Sequence, residues 1–167
     1  MQVCLMRHGE AVDRDSPACP PDAKRPLTDE GRARTRQAAE GLRRIGLAPA
    51  LVLTSSYVRA RQTAEIAADV MGLGKDNVRE SDALAPGADP ALLLAELRGA
   101  KADEKAAEVL CVGHLPHLDL AVAALLGLPA AITSLKKAGA ACVDWKGRGR
   151  GTLLWLATPK LLRKVKA

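Results

Sequence analysis

Near its start the chain contains Val3-Cys4-Leu5-Met6-Arg7-His8-Gly9-Glu10, an apolar run that ends in a guanidinium and an imidazole. A short apolar run is typical of a buried strand in a parallel sheet. In such sheets ligands bind at the carboxyl ends of the strands. The two side chains therefore follow the strand where a binding site is expected. The imidazole of His8 is a candidate nucleophile, and Arg7 offers a planar fork of donors to phosphate oxygens.

The composition indicates one globular domain covering residues 1–167. This length is enough for one hydrophobic core, and 48% hydrophobic with 26% charged residues excludes a disordered chain. The net charge of +6 favours anionic partners in general. The densest basic cluster, 160–166, is predicted to be a solvent-exposed terminal helix. Because aromatic residues make up only 2%, platforms for stacking nucleic-acid bases are lacking, and no nucleic-acid partner is expected.

The cysteines and the apolar runs favour a cytoplasmic protein. No pair of the four cysteines has the spacing of a metal site or a redox motif, and a reducing compartment fits them best. No run is long enough for a membrane helix, and Arg7 and His8 interrupt the first run where a signal peptide would continue. We therefore expect no membrane association, no metal and no cofactor.

Strands and helices alternate along the predicted order of elements. Strands are predicted at 2–6, 51–53, 77–79, 109–112, 139–145 and 152–157. Helices are predicted at 28–45, 57–71, 89–97 and 116–126. This alternation predicts an α/β fold, a three-layer α/β/α sandwich with a mostly parallel sheet. The loop 7–25 is the one candidate for a sizeable lid.

A second candidate segment, 54–65, lies where the second strand ends and a helix begins. A helix N-terminus presents free amides and a partial positive charge to anions. Arg59 lies in that first turn and can reach a phosphate seated over the end of the first strand. Arg61 points away by about 200° of helical rotation, and we expect it to be solvated.

A third segment, Val112-Gly113-His114-Leu115-Pro116, places another histidine at a strand's carboxyl end. Free amides near Leu115 would add donors for an anion. Together the three segments predict a pocket of two imidazoles and two guanidiniums for a phosphoryl group. His8 would attack phosphorus, with a backbone carbonyl fixing its other nitrogen, while Arg7, Arg59 and His114 hold the oxygens. No GxxxxGK[ST] loop is present, which argues against a nucleoside triphosphatase.

These segments resemble the histidine phosphatase superfamily, also called the phosphoglycerate mutase-like family. Its RHG signature matches Arg7-His8-Gly9, its second arginine motif resembles 55–64, and its second histidine matches Gly113-His114. The segment Pro26-Leu27-Thr28 with Gly31 resembles a further motif. The resemblance implies a phosphoglycerate mutase-like fold, His8 as the nucleophile, and Arg7, Arg59 and His114 as the phosphate pocket.

Within that family the chain is most similar to short bacterial phosphohistidine phosphatases of the SixA type, over nearly its whole length. That likeness implies a metal-independent phosphatase that removes phosphate from histidine on a phosphotransfer protein. Ester-cleaving members carry an acid after the third strand, where this chain has Glu80 and Asp82. If either protonates an alkoxide, the alternative is a phosphomonoesterase for small molecules. A second alternative is a phosphate-binding module without catalysis.

Overall fold

The computed structural model describes residues 1–102 and 107–166. Its strands are β1 (Gln2–Arg7), β2 (Leu51–Thr54), β3 (Val78–Glu80), β4 (Glu108–Gly113), β5 (Ala140–Asp144) and β6 (Thr152–Ala157). Its helices are α1 (Asp29–Arg44), α2 (Val58–Val70), α3 (Pro90–Ala102), α4 (His117–Leu126) and α5 (Pro159–Leu162). Thr28 begins α1 as its N-cap, because its hydroxyl accepts from the amide of Gly31 at 2.9 Å.

One sheet holds the strands in the order β3-β2-β4-β1-β5-β6. The pairs β2–β3, β2–β4 and β1–β4 are parallel, whereas β5 is antiparallel to both of its neighbours. Among the described strands, β5 alone therefore runs against the common direction, which confirms the mostly parallel sheet. The carboxyl ends of β2, β4 and β1 lie next to one another at one edge.

Apolar side chains cover both faces of this sheet, so the three-layer sandwich is confirmed. On one face, α3 and α4 pack through a set of buried leucines and a valine: Leu93, Leu97, Leu118, Val122 and Leu125. On the other face, α1, α2 and α5 pack mainly through alanines. Small residues allow close approach of helix and sheet, which holds the first turn of α2 near the strand ends.

Two regions differ from the sequence prediction. The predicted loop 7–25 contains a 3₁₀ turn at Asp22–Lys24, and Ala11 forms an isolated bridge with Leu27. The predicted helix in the basic tail covers only α5, and Leu162 is buried against α1 rather than solvated. The tail was predicted as solvated because its charges dominate the pattern, but Leu162 is buried and Arg44 Nη1 donates to the Val165 carbonyl at 3.1 Å.

The ends of two other helices were also misplaced. Helix α3 continues to Ala102, beyond the predicted end near residue 97, and α4 begins one residue after Pro116. Within the described residues, no helix combines the length and the apolarity that a membrane crossing requires.

Candidate active site

The candidate site lies where three neighbouring strands end side by side. His8 follows β1, His114 follows β4 and Ser55 follows β2. The His8 amide donates to the Gly113 carbonyl at 3.0 Å, and the Ser55 amide donates to the Val112 carbonyl at 3.1 Å. The strand register therefore continues into the loops. It brings the ring centroids of the two histidines to 5.1 Å.

His8 is buried and held in one orientation. Its Nδ1 donates to the carbonyl of Gly9 at 2.7 Å, and its Nε2 accepts from the Nε of Arg59 at 3.3 Å. Burial lowers the pKa of His8 to about 4, and the positive charges of Arg59 and Arg7 add to this effect, against the opposing Gly9 hydrogen bond. Nε2 is therefore an unprotonated nitrogen near neutral pH.

The loop that carries His8 is tied to the helix that carries Arg59. The Gly9 amide donates to the hydroxyl of Thr63 at 3.0 Å, and that hydroxyl donates to the carbonyl of Arg59 at 2.7 Å. A Cβ at Gly9 would overlap the hydroxyl oxygen of Thr35 on α1. The glycine is therefore needed for this close packing.

Arg59 is buried in the first turn of α2 and is engaged by Asp22. Its Nη1 donates to the Asp22 carbonyl at 2.6 Å, and its Nη2 donates to the Asp22 carboxylate at 3.1 Å. Arg14 and Arg25 contact the other carboxylate oxygen at 3.1 and 3.0 Å. Partial burial raises the pKa of Asp22, but the three arginines outweigh this and hold it below its ordinary value.

His114 lies beside His8 and is also neutral. Its Nε2 is 2.9 Å from the hydroxyl oxygen of Ser55, and its ring meets the edge of Tyr57 at 5.2 Å between centroids. Burial lowers the pKa of His114 to about 3, with further lowering by the charges of His8 and Arg59. Its Nδ1 is buried without a partner among the described residues.

These residues share a cavity of about 570 Å³. The Nη1 of Arg7 donates to the Leu135 carbonyl at 3.0 Å, while its Nε is buried without a partner among the described residues. Leu115 also lines the cavity, so all five predicted phosphate-site residues surround one space: Arg7, His8, Arg59, His114 and Leu115. A tetrahedral oxyanion placed there would meet several donors and the unprotonated Nε2 of His8.

The sequence analysis did not assign to the site seven charged residues that line this cavity: Glu10, Asp13, Arg14, Asp15, Asp22, Arg25 and Lys137. Arg25 precedes the quoted Pro26-Leu27-Thr28 segment, so its position offered a signal. Asp22 stood among several aspartates of the loop, and nothing in the sequence distinguished it. Lys137 lies in the turn before β5 and lines the cavity. Because it is far along the chain from every quoted motif, no motif indicated this position.

The two candidate acids do not line this cavity. The Glu80 carboxylate lies 3.3 Å from Arg61 Nη1 in an exposed ion pair, which agrees with the solvated position predicted for that arginine. Asp82 is exposed in a 3₁₀ turn after β3. The carboxylates that line the cavity instead are Glu10, Asp13, Asp15 and Asp22.

Asp22 occupies donors of Arg59 that an incoming phosphate would need. We expect Asp22→Asn to bind inorganic phosphate about two- to fivefold more tightly, because the change removes a partly exposed negative charge beside the anion. Titration calorimetry measures the dissociation constant. Asp15→Asn is the matched control: it removes a negative charge from the same cavity without a contact to Arg59, so its gain in phosphate affinity should be smaller. Weaker phosphate binding by Asp22→Asn would contradict this prediction.

Comparison with known proteins gives the same family over the first half of the chain. The sequence profile described as "Histidine phosphatase superfamily (branch 1)" matches residues 3–85. The matched part includes Arg7, His8 and Arg59, but not His114.

Curated relatives extend the similarity to the whole chain. The phosphohistidine phosphatase SixA of Escherichia coli is 34% identical over 100% of this chain and 99% of its own length. An uncharacterized protein of Picosynechococcus is 41% identical over 83% of this chain and 82% of its own. Among solved structures, the protein histidine phosphatase SixA complexed with tungstate has a TM-score of 0.84 and 32% identity. That match covers 96% of this chain and 98% of the other.

Proposed function

We propose, from the fact that this chain belongs to the histidine phosphatase superfamily, that it hydrolyses phosphohistidine on a protein. The observation that carries the proposal is the environment of His8. A neutral imidazole with its Nε2 unprotonated lies against Arg59 in a cavity lined by a second imidazole and further cations. This arrangement suits the transfer of a phosphoryl group to a ring nitrogen.

His8 is the nucleophile in this proposal. Its Nε2 attacks phosphorus in line as the bond from phosphorus to the leaving nitrogen breaks. The Gly9 carbonyl holds the proton on Nδ1, so the ring needs no prior deprotonation. Because the pKa of His8 is about 4 in the free protein, the attacking form is already populated near neutral pH.

Arg7, Arg59 and His114 bind the phosphoryl oxygens, and the amide of Leu115 is a further candidate donor. The guanidiniums stabilise the negative charge that develops at the equatorial oxygens. The Ser55 hydroxyl positions the ring of His114. A water molecule then attacks the phosphorus of phospho-His8, and the P–N bond breaks. Inorganic phosphate leaves the cavity, and His8 returns to its neutral form.

The charge state of the cavity favours a phosphoramidate over an ester. An alkoxide needs a proton as it departs, and such help is worth about 10² to 10⁴-fold. Asp22, which contacts Arg59, has a lowered pKa and is a poor proton donor. An imidazole that arrives protonated leaves as a neutral ring without that help. An ionised Asp22 beside Arg59 therefore suits phosphohistidine better than a sugar phosphate.

A competition assay tests the substrate class. We expect kcat/KM for a phosphohistidine-bearing protein to exceed that for phosphate monoesters by at least about 10²-fold, the smaller end of what acid catalysis supplies. Glu80→Gln and Asp82→Asn should stay within about twofold of wild type on both substrates, because neither side chain lines the cavity. If Glu80→Gln selectively lost ester hydrolysis, the phosphomonoesterase alternative would replace this proposal.

A further inference from the structure

A second, smaller cavity of about 340 Å³ adjoins the catalytic one. The two share Arg7, Glu10 and Lys137 in their walls. We call the smaller cavity the basic groove, because its other charged lining residues are Arg34, Lys136 and Arg163. Any molecule that reaches His8 through the first cavity lies beside this groove.

The fold holds the groove against the phosphate site through two close contacts. The Ala138 amide donates to the Arg7 carbonyl at 3.0 Å, which ties the turn containing Lys136 to the end of β1. On the other side, the carbonyl of Leu162 lies where a Cβ on Gly41 would overlap it, so the tail is seated tightly on α1. This seating brings Arg163, from the basic tail of the sequence, into the groove wall.

The cations of the groove are incompletely neutralised. Among the described residues that line it, Glu10 is the one carboxylate; it lies 3.5 Å from both Arg34 and Lys137, and Arg34 also pairs with Glu30 on α1. Within residues 1–102 and 107–166, no carboxylate forms an ion pair with Lys136 or Arg163. Lys136 is exposed and Arg163 is half-buried, so both charges are available to a partner.

We propose that the basic groove docks an acidic segment of the protein that carries the phosphohistidine; this inference rests on the proposed function. When a phosphohistidine enters the catalytic cavity, the surface of the protein that carries it covers the opening of that cavity. Carboxylates on that surface would meet Lys136 and Arg163. The described residues that line the groove include no aromatic side chain for base stacking, which favours an acidic protein over a nucleic acid.

Charges at the rim of an interface act mainly on the rate of encounter, and salt screens them. The groove should therefore increase kcat/KM for the protein substrate and leave a small phosphoramidate unaffected. The dependence of kcat/KM on ionic strength should be steep for the first substrate and nearly flat for the second.

The test uses the double variant Lys136→Glu with Arg163→Glu on the full chain. We expect kcat/KM for a phosphohistidine-bearing protein with an acidic surface to fall about 10- to 100-fold, with a flatter salt dependence. Hydrolysis of free phosphoramidate should stay within about twofold. Lys75→Glu with Arg79→Glu is the matched control, since both residues are exposed near the opposite edge of the sheet and the change in net charge is equal.

Three results would overturn the inference. One is an equal loss on both substrates, which would indicate damage to the phosphate site. Another is no loss on the protein substrate, and the third is an equal loss in the control. Failure of the proposed function has a different signature: wild type itself would leave the phosphoprotein intact while cleaving phosphate monoesters. That result would overturn the docking role as well.

Discussion

Replacing His8 with alanine will abolish phosphoryl transfer. We expect kcat/KM for a phosphohistidine-bearing protein to fall by at least about 10⁴-fold, because His8→Ala removes the nitrogen that we propose as the nucleophile. The fold should persist, since the ring's hydrogen bonds are to the Gly9 carbonyl and to Arg59, which keeps its two contacts with Asp22. Activity measurements and far-ultraviolet circular dichroism test the two parts of this prediction separately.

Trapping experiments sharpen this prediction. A rapid alkaline quench of wild type with a ³²P-labelled donor should leave label on residue 8, and His8→Ala should carry none. Glu80→Gln is the control that should label like wild type, because Glu80 lies outside the cavity. Activity of His8→Ala within tenfold of wild type would refute the nucleophile role. Tight phosphate binding without labelling or turnover in wild type would favour the non-catalytic binding module.

That the site residues meet at one edge of the sheet could be predicted, because this follows from a general property of parallel sheets. Arg7, His8 and His114 follow apolar runs, and the carboxyl ends of parallel strands meet at one edge. The adjacency of β1 and β4 was not needed for that argument, although it explains the 5.1 Å between the imidazoles. Arg59 could be placed because a helix N-terminus follows β2 directly.

The electrostatic surroundings of the site could not be predicted in the same way. Asp22 contacts Arg59 because a 3₁₀ turn redirects the loop before α1, and a short turn of this kind has no apolar periodicity. The position of Lys137 depends on the turn before β5, whose Ala138 has a positive φ of 59° without being glycine. Such a conformation is imposed by tertiary contacts, here the hydrogen bonds to Arg7 and His8.

The candidate acids show the limit of reasoning from position along the chain. Glu80 ends β3, which pairs with β2 at the far edge of the sheet. A residue after a third strand is near the site only if its loop turns back over the strand ends. Here the loop after β3 does reach the cavity, at Pro86, but Glu80 lies at the start of that loop and pairs with Arg61 on α2.

All three histidines of the chain are buried, and this has a consequence for stability. Burial lowers the pKa of His8 to about 4 and that of His114 to about 3, and it also lowers the pKa of His117. Unfolding returns each to an ordinary value near 6.5. The unfolded chain therefore binds more protons below that pH, and the free energy of unfolding must rise with pH.

The stabilisation is fully present above about pH 6.5 and is lost as the pH falls towards the folded pKa values. From pH 7 to pH 5, His8 and His114 should each remove up to about 2 kcal/mol from the free energy of unfolding, with a further loss from His117. Carboxylates of lowered pKa, such as Asp22, contribute in the same direction but below about pH 4, so this window isolates the histidines.

Urea unfolding of wild type and His8→Asn at pH 5, 6 and 7 measures this effect. The asparagine variant cannot gain a proton, so its free energy of unfolding should fall less over the same range, by about 2 kcal/mol. Glu80→Gln is the control and should keep the wild-type slope, because the change lies outside the cavity and leaves all three histidines in place. Equal slopes for wild type and His8→Asn would mean that His8 binds protons equally in the folded and unfolded chains, which would contradict the lowered pKa of its buried ring.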